Sequence, residues 1–239
     1  MKGVLYLIPA PLSDSDLKFA IPENVREIAI NLKYFIVEDL RTARRYLSKL
    51  KIETPIDELN FSELNEHSDK NAISQLLDPA LKGNNIGVIS DAGMPCIADP
   101  GEELVNYAHL KNIRVVPLVG PSSIFLALAA SGLNAEKFSF EGYLSAKTLE
   151  LTKVLKKIEQ QSKQDKQSKI FIEAPYRSAK MFETIVNTCF PETYLSIACD
   201  ITSPEEIIKT MQIKEWKKTK TPDINKKPCI FILQAFAAF

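Results

Sequence analysis

The sequence predicts an α/β fold, and three observations carry that prediction. Short apolar, β-branched runs alternate with segments of helical period along the 239 residues, the pattern of βα units around a mostly parallel sheet. Hydrophobic residues make up 45% of the chain, enough for a substantial core at this length. The alternation restarts after the stretch Pro117 to Pro121, which predicts two domains, residues 1–118 and 119–239.

In the first half, Val4 to Ile8 reads as a strand and Pro22 to Leu32 as a helix with proline in its first turn. Tyr34 to Val37 is the next strand, and Arg41 to Leu50 the next helix. Helices over Asp69 to Leu81 and Glu102 to Lys111 flank a strand at Ile86 to Ile89, apolar enough to be buried on both faces. Val115 to Leu118 closes this half. The second half begins with a helix from Ser123 to Ala130, ended by Gly132, and a strand at Phe138 to Tyr143. A lysine-rich helix from Ala146 to Gln160 and a strand at Ile170 to Glu173 come next. Then come a helix (Arg177 to Cys189), a strand (Tyr194 to Ala198) and extended segments at Ile207 to Gln212 and Cys229 to Leu233. The polar run "QQSKQDKQSK" reads as a solvated helix end plus loop.

Lys plus Arg and Asp plus Glu both number 30, so no global field steers the chain toward nucleic acid. Basic clusters at Arg41 to Lys51, Lys153 to Lys169 and Lys214 to Lys227 are local, and each also fits a solvated surface. The four cysteines are dispersed and the two histidines lie near none of them in sequence, so neither a disulfide framework nor a metal site is indicated. Pro9 and Pro11 interrupt the first apolar run, which favours a strand over a signal peptide. No window approaches a membrane span, and a reduced cytoplasmic setting is expected.

Four segments could carry chemistry. In "ISDAGMPCIADPG", Ser90-Asp91-Ala92-Gly93 emerges at the carboxyl end of a buried strand, where open α/β sheets bind ligands. Ala92 and Gly93 would leave main-chain amides uncovered there. Asp99-Pro100-Gly101-Glu102 instead reads as a capping box, with Asp99 the N-cap and Gly101 in the first turn. In "GPSSIFLALAASG", Ser122 or Ser123 caps a helix whose N-terminus either is simply capped or receives an anion; both readings stand. "VEDLRTARRYL" puts Glu38 and Asp39 at a strand end, and it groups Arg41, Arg44 and Arg45 as a phosphate-contacting edge or a surface ion-pair cluster. "IFIEAPYRSAKMFETI" ends a strand in Glu173 and opens a helix with Arg177. No G-x-G occurs, which excludes the dinucleotide fingerprint and the P-loop as written.

These segments, with "GVLYLIPAPLSDSD" and "FSFEGYLSAK", occur in an order that resembles the tetrapyrrole-methylase-like S-adenosylmethionine-dependent methyltransferases. Within them the chain is most similar to the branch that 2′-O-methylates a cytidine of small-subunit ribosomal RNA. The resemblance spans about residues 3–178. It implies two α/β domains of the tetrapyrrole methylase type with a cofactor cleft between them, a homodimer, and S-adenosylmethionine bound without a Rossmann glycine loop.

Carried over by position, Pro9, Ser90, Asp91, Ala92, Gly93, Met94, Ser122 and Ser123 would hold the cofactor, closed over by Tyr143, Glu173, Ala174 and Pro228. The reaction it implies needs a general base for a ribose hydroxyl, for which the candidates are Glu38, Asp39, Lys147 and Glu173. Arg41, Arg44 and Arg177 would contact the phosphates of ribosomal RNA or of the small ribosomal subunit. Met94 and Leu40 stand where the branch has threonine, Ser13-Asp14 where it has Gly-Asn, and Cys199 to Glu206 replaces its Arg-Glu-Leu-Thr-Lys-like segment. These departures bear on the acceptor, so methylation of a small molecule such as a tetrapyrrole and a catalytically silent paralogue remain alternatives.

Overall fold

Five short strands pair side by side in the first half of the chain, four of them apolar runs and the fifth, at one edge, polar. They are β1 (Val4–Ile8), β2 (Tyr34–Val37), β3 (Asn60–Glu63), β4 (Ile86–Ile89) and β5 (Arg114–Pro117). The computed structural model describes residues 1–14, 16–65, 68 and 73–237, and divides them into two compact units, Met1–Ser122 and Ser123–Phe239. In the first unit the strand order is β3-β2-β4-β1-β5, and every pairing is parallel. All four residues of β4 are buried at the middle of this sheet, as its unbroken apolar run requires.

Five α-helices connect these strands: α1 (Leu17–Ala20), α2 (Glu23–Ala29), α3 (Leu40–Lys49), α4 (Asp78–Leu81) and α5 (Glu102–Leu110). Val25 and Ala29 of α2 and Leu47 of α3 pack on Ile8, Phe35 and Ile89. Ala80 of α4, with Leu104 and Ala108 of α5, packs on Leu5, Ile36 and Val88 instead. The alternation of strand residues between these two clusters gives each face of the sheet its own helices. The helix expected over Asp69 to Leu81 is a 3-10 turn (Ile73–Leu77) followed by α4, with residues 69–72 outside the described set. Pro79, which has no N–H to donate, restarts the helix in the first turn of α4.

The second unit holds β6 (Phe138–Tyr143), β7 (Ser168–Glu173), β8 (Tyr194–Cys199), β9 (Ile207–Gln212) and β10 (Cys229–Gln234), in the order β6-β7-β10-β8-β9. Here the mostly parallel expectation is corrected. Only β6 and β7 run parallel; β10 is antiparallel to β7 and to β8, and β8 to β9. The reason lies in the connections. A parallel return needs a crossover of a dozen or more residues, usually with a helix, whereas residues 200–206 make only turns and bends and the link into β10 carries the single turn α9 (Ile213–Trp216).

Against this mixed sheet lie α6 (Ser123–Ser131), α7 (Thr148–Asp165) and α8 (Ser178–Thr188). Leu155, Phe182, Ile185 and Trp216 bury themselves on Phe171 and Phe231, whose stacked rings lie 5.7 Å apart on adjacent strands. The polar run after Gln160 extends α7 to Asp165, and Lys166 stops it in the left-handed conformation at φ 56°.

Candidate active site

The site is built first from strand ends in unit Met1–Ser122. Ala10, just past β1, pairs with Gly93, just past β4: each donates its N–H to the other's carbonyl, at 2.8 and 3.0 Å. The uncovered-backbone reading of Gly93 is therefore corrected, because its amide and carbonyl are both spent on Ala10 and it is buried. What requires glycine is a φ of +75°, with the end of the Leu12 side chain 3.2 Å from where a Cβ would go. Gly120, past β5, lies against the Pro9 ring in the same way. Tyr46 of α3 donates its hydroxyl to the Pro9 carbonyl at 2.7 Å, and burial pushes that phenol's pKa up. Ser90 and Gly93 are buried and Met94 is half-buried, whereas Asp91 and Ala92 face solvent. Ser122 stands directly before α6, which Ser123 opens.

Four carboxylates of this unit meet around the ends of β2 and β4. Asp39 is the N-cap of α3: its Oδ1 accepts from the Thr42 amide at 2.8 Å. The backbone bonds of that cap hold its carboxyl below the usual range, which makes Asp39 a poorer proton acceptor than its position at a strand end suggests. Glu38 Oε2 accepts from the Asp91 amide at 3.3 Å.

Asp99 is the larger correction, because α5 begins at Glu102 with Gly101 as its N-cap and no side-chain cap. Gly101 takes a φ of +135° with Cys96 Sγ against the place of a side chain, so the predicted capping box does not form. Instead Asp99 is half-buried with its carboxyl pushed up to about 6, first by burial and then by Glu38 and Asp91. Ser90 lies near enough to oppose that rise slightly, yet its buried Oγ makes no well-formed hydrogen bond among the described residues.

A raised carboxyl pKa has a definite sign. Between the unfolded value near 3.8 and about 6 the folded state holds the proton that the unfolded state releases, so stability falls as pH rises through that window and is level above it. Asp99→Asn is therefore expected to stabilise the protein by about 1 kcal/mol at pH 8, discounted for the exposed part of the carboxyl, and by almost nothing at pH 4. Urea unfolding of variant and wild type at both pH values measures this. An equal difference at the two would refute the assignment.

The arginines of α3 separate in space. Arg41 is exposed beside Asp39, and Arg44 lies over the Phe61 ring of β3 with its guanidinium carbon 5.6 Å from the centroid. Arg45 sits one position, about 100°, further round the helix. With Lys49, four residues on, it faces Asp14 in the loop after β1, where Lys49 and Asp14 form an ion pair. The sequence groups the three arginines and puts Lys49 in the same basic cluster, but it gives no role to Tyr46 and no pairing of Lys49 with Asp14; the i, i+4 spacing of Arg45 and Lys49 is the signal for their shared face.

In unit Ser123–Phe239, the residues singled out collect at one end of the sheet. Tyr143 ends β6 and pairs with Ile172, Glu173 ends β7 opposite Cys229, and Pro228 precedes β10. The Glu173 carboxylate is buried and committed: Oε1 accepts from the Ala174 amide at 2.7 Å and from Arg177 Nε and Nη2 at 2.9 and 2.5 Å. Arg177 also donates to the Leu144 carbonyl at 3.3 Å. These two side chains thus satisfy each other, which corrects the reading of a cleft-facing base and a phosphate-contacting cation. Lys147 is exposed at the start of α7 and pairs with Glu150 at 3.3 Å. No metal-binding cluster and no helix long and apolar enough to cross a membrane occur among the described residues.

The arrangement matches known proteins. The family model for Tetrapyrrole (Corrin/Porphyrin) Methylases matches residues 5–217. "Ribosomal RNA small subunit methyltransferase I" of Vibrio cholerae is 31% identical over 94% of this chain and 74% of its own length. The protein of the same name from Escherichia coli O157:H7 is 30% identical over 95% and 75%. Among solved structures, the methyltransferase CobJ superposes with a TM-score of 0.64 at 14% identity, covering 96% of this chain and 93% of its own. The uroporphyrin-III-C-methyltransferase from Thermus thermophilus gives 0.58 at 14% identity, over 98% and 93%. With the parallel sheet, strand ends that carry no G-x-G and the family match in agreement, this chain belongs to the tetrapyrrole (corrin/porphyrin) methylase family and is an S-adenosylmethionine-dependent methyltransferase.

Proposed function

We propose that this enzyme methylates the 2′-hydroxyl of a cytidine in small-subunit ribosomal RNA, acting on the RNA or on the small ribosomal subunit. The observation that carries this reading is the 31% identity, over 94% of the chain, to a protein named for small-subunit ribosomal RNA methylation. The cytidine, the 2′-position and the homodimer follow the sequence resemblance.

The residues fit the cofactor in one respect that geometry alone supplies: a buried Ser90 Oγ with no well-formed hydrogen bond among the described residues, at the end of β4. A buried hydroxyl left in that state is costly until a ligand or water completes it. When bound, S-adenosylmethionine supplies an activated sulfonium methyl. Pro9, Met94, Gly120 and Ser122 follow the ends of β1, β4 and β5 in the chain, with Gly120 against the Pro9 ring, and are the residues proposed to hold it. The protein's own work is alignment of the acceptor, worth about 7–11 kcal/mol at its limit, and removal of the hydroxyl proton, typically about 10²–10⁴ in rate. Glu38 is the acceptor we favour. Asp39 is held low by its helix cap and Glu173 is ion-paired with Arg177, while Glu38, which accepts from the Asp91 amide, stands beside Asp91 and Asp99 at the end of β2.

The test is transfer of labelled methyl from S-adenosylmethionine to small ribosomal subunits from a strain deleted for this gene, followed by nucleoside mass spectrometry. The expected product is 2′-O-methylcytidine at one position. Intact cofactor binding with no label in the RNA would overturn the reading.

A further inference from the structure

A cavity of about 290 Å³ opens in unit Met1–Ser122 between the loop after β1, one side of α3 and the end of β4. Four charged side chains line it: Arg45 and Lys49 from α3, Asp14 from the loop, and Asp91. Asp14 is held below the usual carboxylate range by Lys49 first and by Arg45 more weakly. Asp91 is pushed the other way by burial and by Asp39, so it gains from any hydrogen-bond donor brought to it. Two cations and two carboxylates leave the cavity without net charge. A phosphate group would seek cations alone, and the walls between the charges mix apolar Leu12 and Ile89 with the hydroxyl side chains of Ser13 and Thr42. The ligand suited to such a space is planar, uncharged, and carries donors and acceptors along one edge.

We propose that this cavity receives the unstacked base of the acceptor nucleotide and selects cytosine, with Asp91 accepting from the 4-amino group and Arg45 donating to N3 and O2. The proposal rests on the RNA reading above and names its specificity residues. A carboxylate that accepts from the cytosine amine is a recurring base contact, and enzymes that act on a nucleotide commonly draw it out of the stack. Uracil in the same pose would turn its O4 acceptor toward the Asp91 carboxylate. An amino-acid zwitterion also carries both charges. The cavity adjoins the residues proposed for the cofactor, at Ser90 and at Ala10 beside Pro9, which sets the acceptor base next to the methyl donor, and the cofactor affinities measured below separate the two occupants.

The test reads binding, so it does not depend on turnover. Fluorescence anisotropy would follow wild type, Asp91→Asn and Arg45→Ala on oligoadenylates with one central cytidine or one central uridine, in the presence of S-adenosylhomocysteine. Calorimetry would give each protein's affinity for S-adenosylmethionine. Wild type is expected to prefer the cytidine oligomer by about tenfold or more. Asp91→Asn should bring that ratio close to one, and Arg45→Ala should weaken both oligomers while its cofactor affinity stays within about twofold of wild type. Equal binding of the two oligomers by wild type would overturn the proposal. So would a loss of cofactor affinity in the variants as large as the loss of RNA affinity, which would give the cavity to the cofactor. Methyl transfer by the wild type reports on the RNA reading separately.

Discussion

Glu173→Gln lowers the stability of unit Ser123–Phe239 by about 3 kcal/mol, because it leaves a largely buried guanidinium without its counter-charge. The carboxylate side chain is 2% exposed and that of Arg177 20%, and the same oxygen also holds the Ala174 amide. Breaking such a pair is costly, whereas replacing both partners with apolar groups is often close to neutral. The double variant Glu173→Leu with Arg177→Leu is accordingly expected to recover most of the loss. Urea unfolding followed through Trp216, the chain's sole tryptophan, reads this unit directly, since that indole is buried in its core and donates to the Leu195 carbonyl at 3.0 Å. A Glu173→Gln variant within 0.5 kcal/mol of wild type would mean that the pair is solvated in solution.

Phe171→Ala has the larger effect on the same fluorescence signal, about 3–5 kcal/mol. Phe171 and Phe231 are fully buried on adjacent strands of the sheet, stacked with 15° between ring planes. Truncating one ring removes its own burial and half of the stack, and the surrounding strands cannot close on the space because their backbones are fixed by pairing on both sides. Phe171→Leu keeps most of the volume and is expected to cost about 1–2 kcal/mol. If both variants cost the same, cavity formation is not the cause.

Much of the first sheet was legible because its strands are written in apolar, β-branched residues. "VLYLI", "YFIV" and "IGVI" occupy β1, β2 and β4 at the expected bounds. The edge strand β3, "NFSE", was not, since three of its four residues are exposed and polar and its strand conformation comes from pairing with β2. The mixed order of the second sheet was equally hidden: apolar runs specify strands, while connection geometry decides direction. At the site, Asp99 was misread because the motif S/T/D-x-x-E is a local rule. The chain satisfies it in sequence, yet a positive φ at Gly101 moves the cap two residues on and frees the carboxylate to join Glu38 and Asp91. Arg177 was misread for the opposite reason, since its partner four residues earlier was judged by its strand-end position alone.

The central place of β10 has a consequence for the order in which the protein takes shape during synthesis. Every strand of unit Met1–Ser122 has been made by Pro117, so that unit can close while the rest of the chain is still being translated. Unit Ser123–Phe239 cannot, because β7 and β8 have no direct pairing and meet only through residues 229–234. Until those residues leave the ribosome, two largely buried strand edges stay unpaired, the condition in which nascent chains are most exposed to aggregation and most dependent on chaperones.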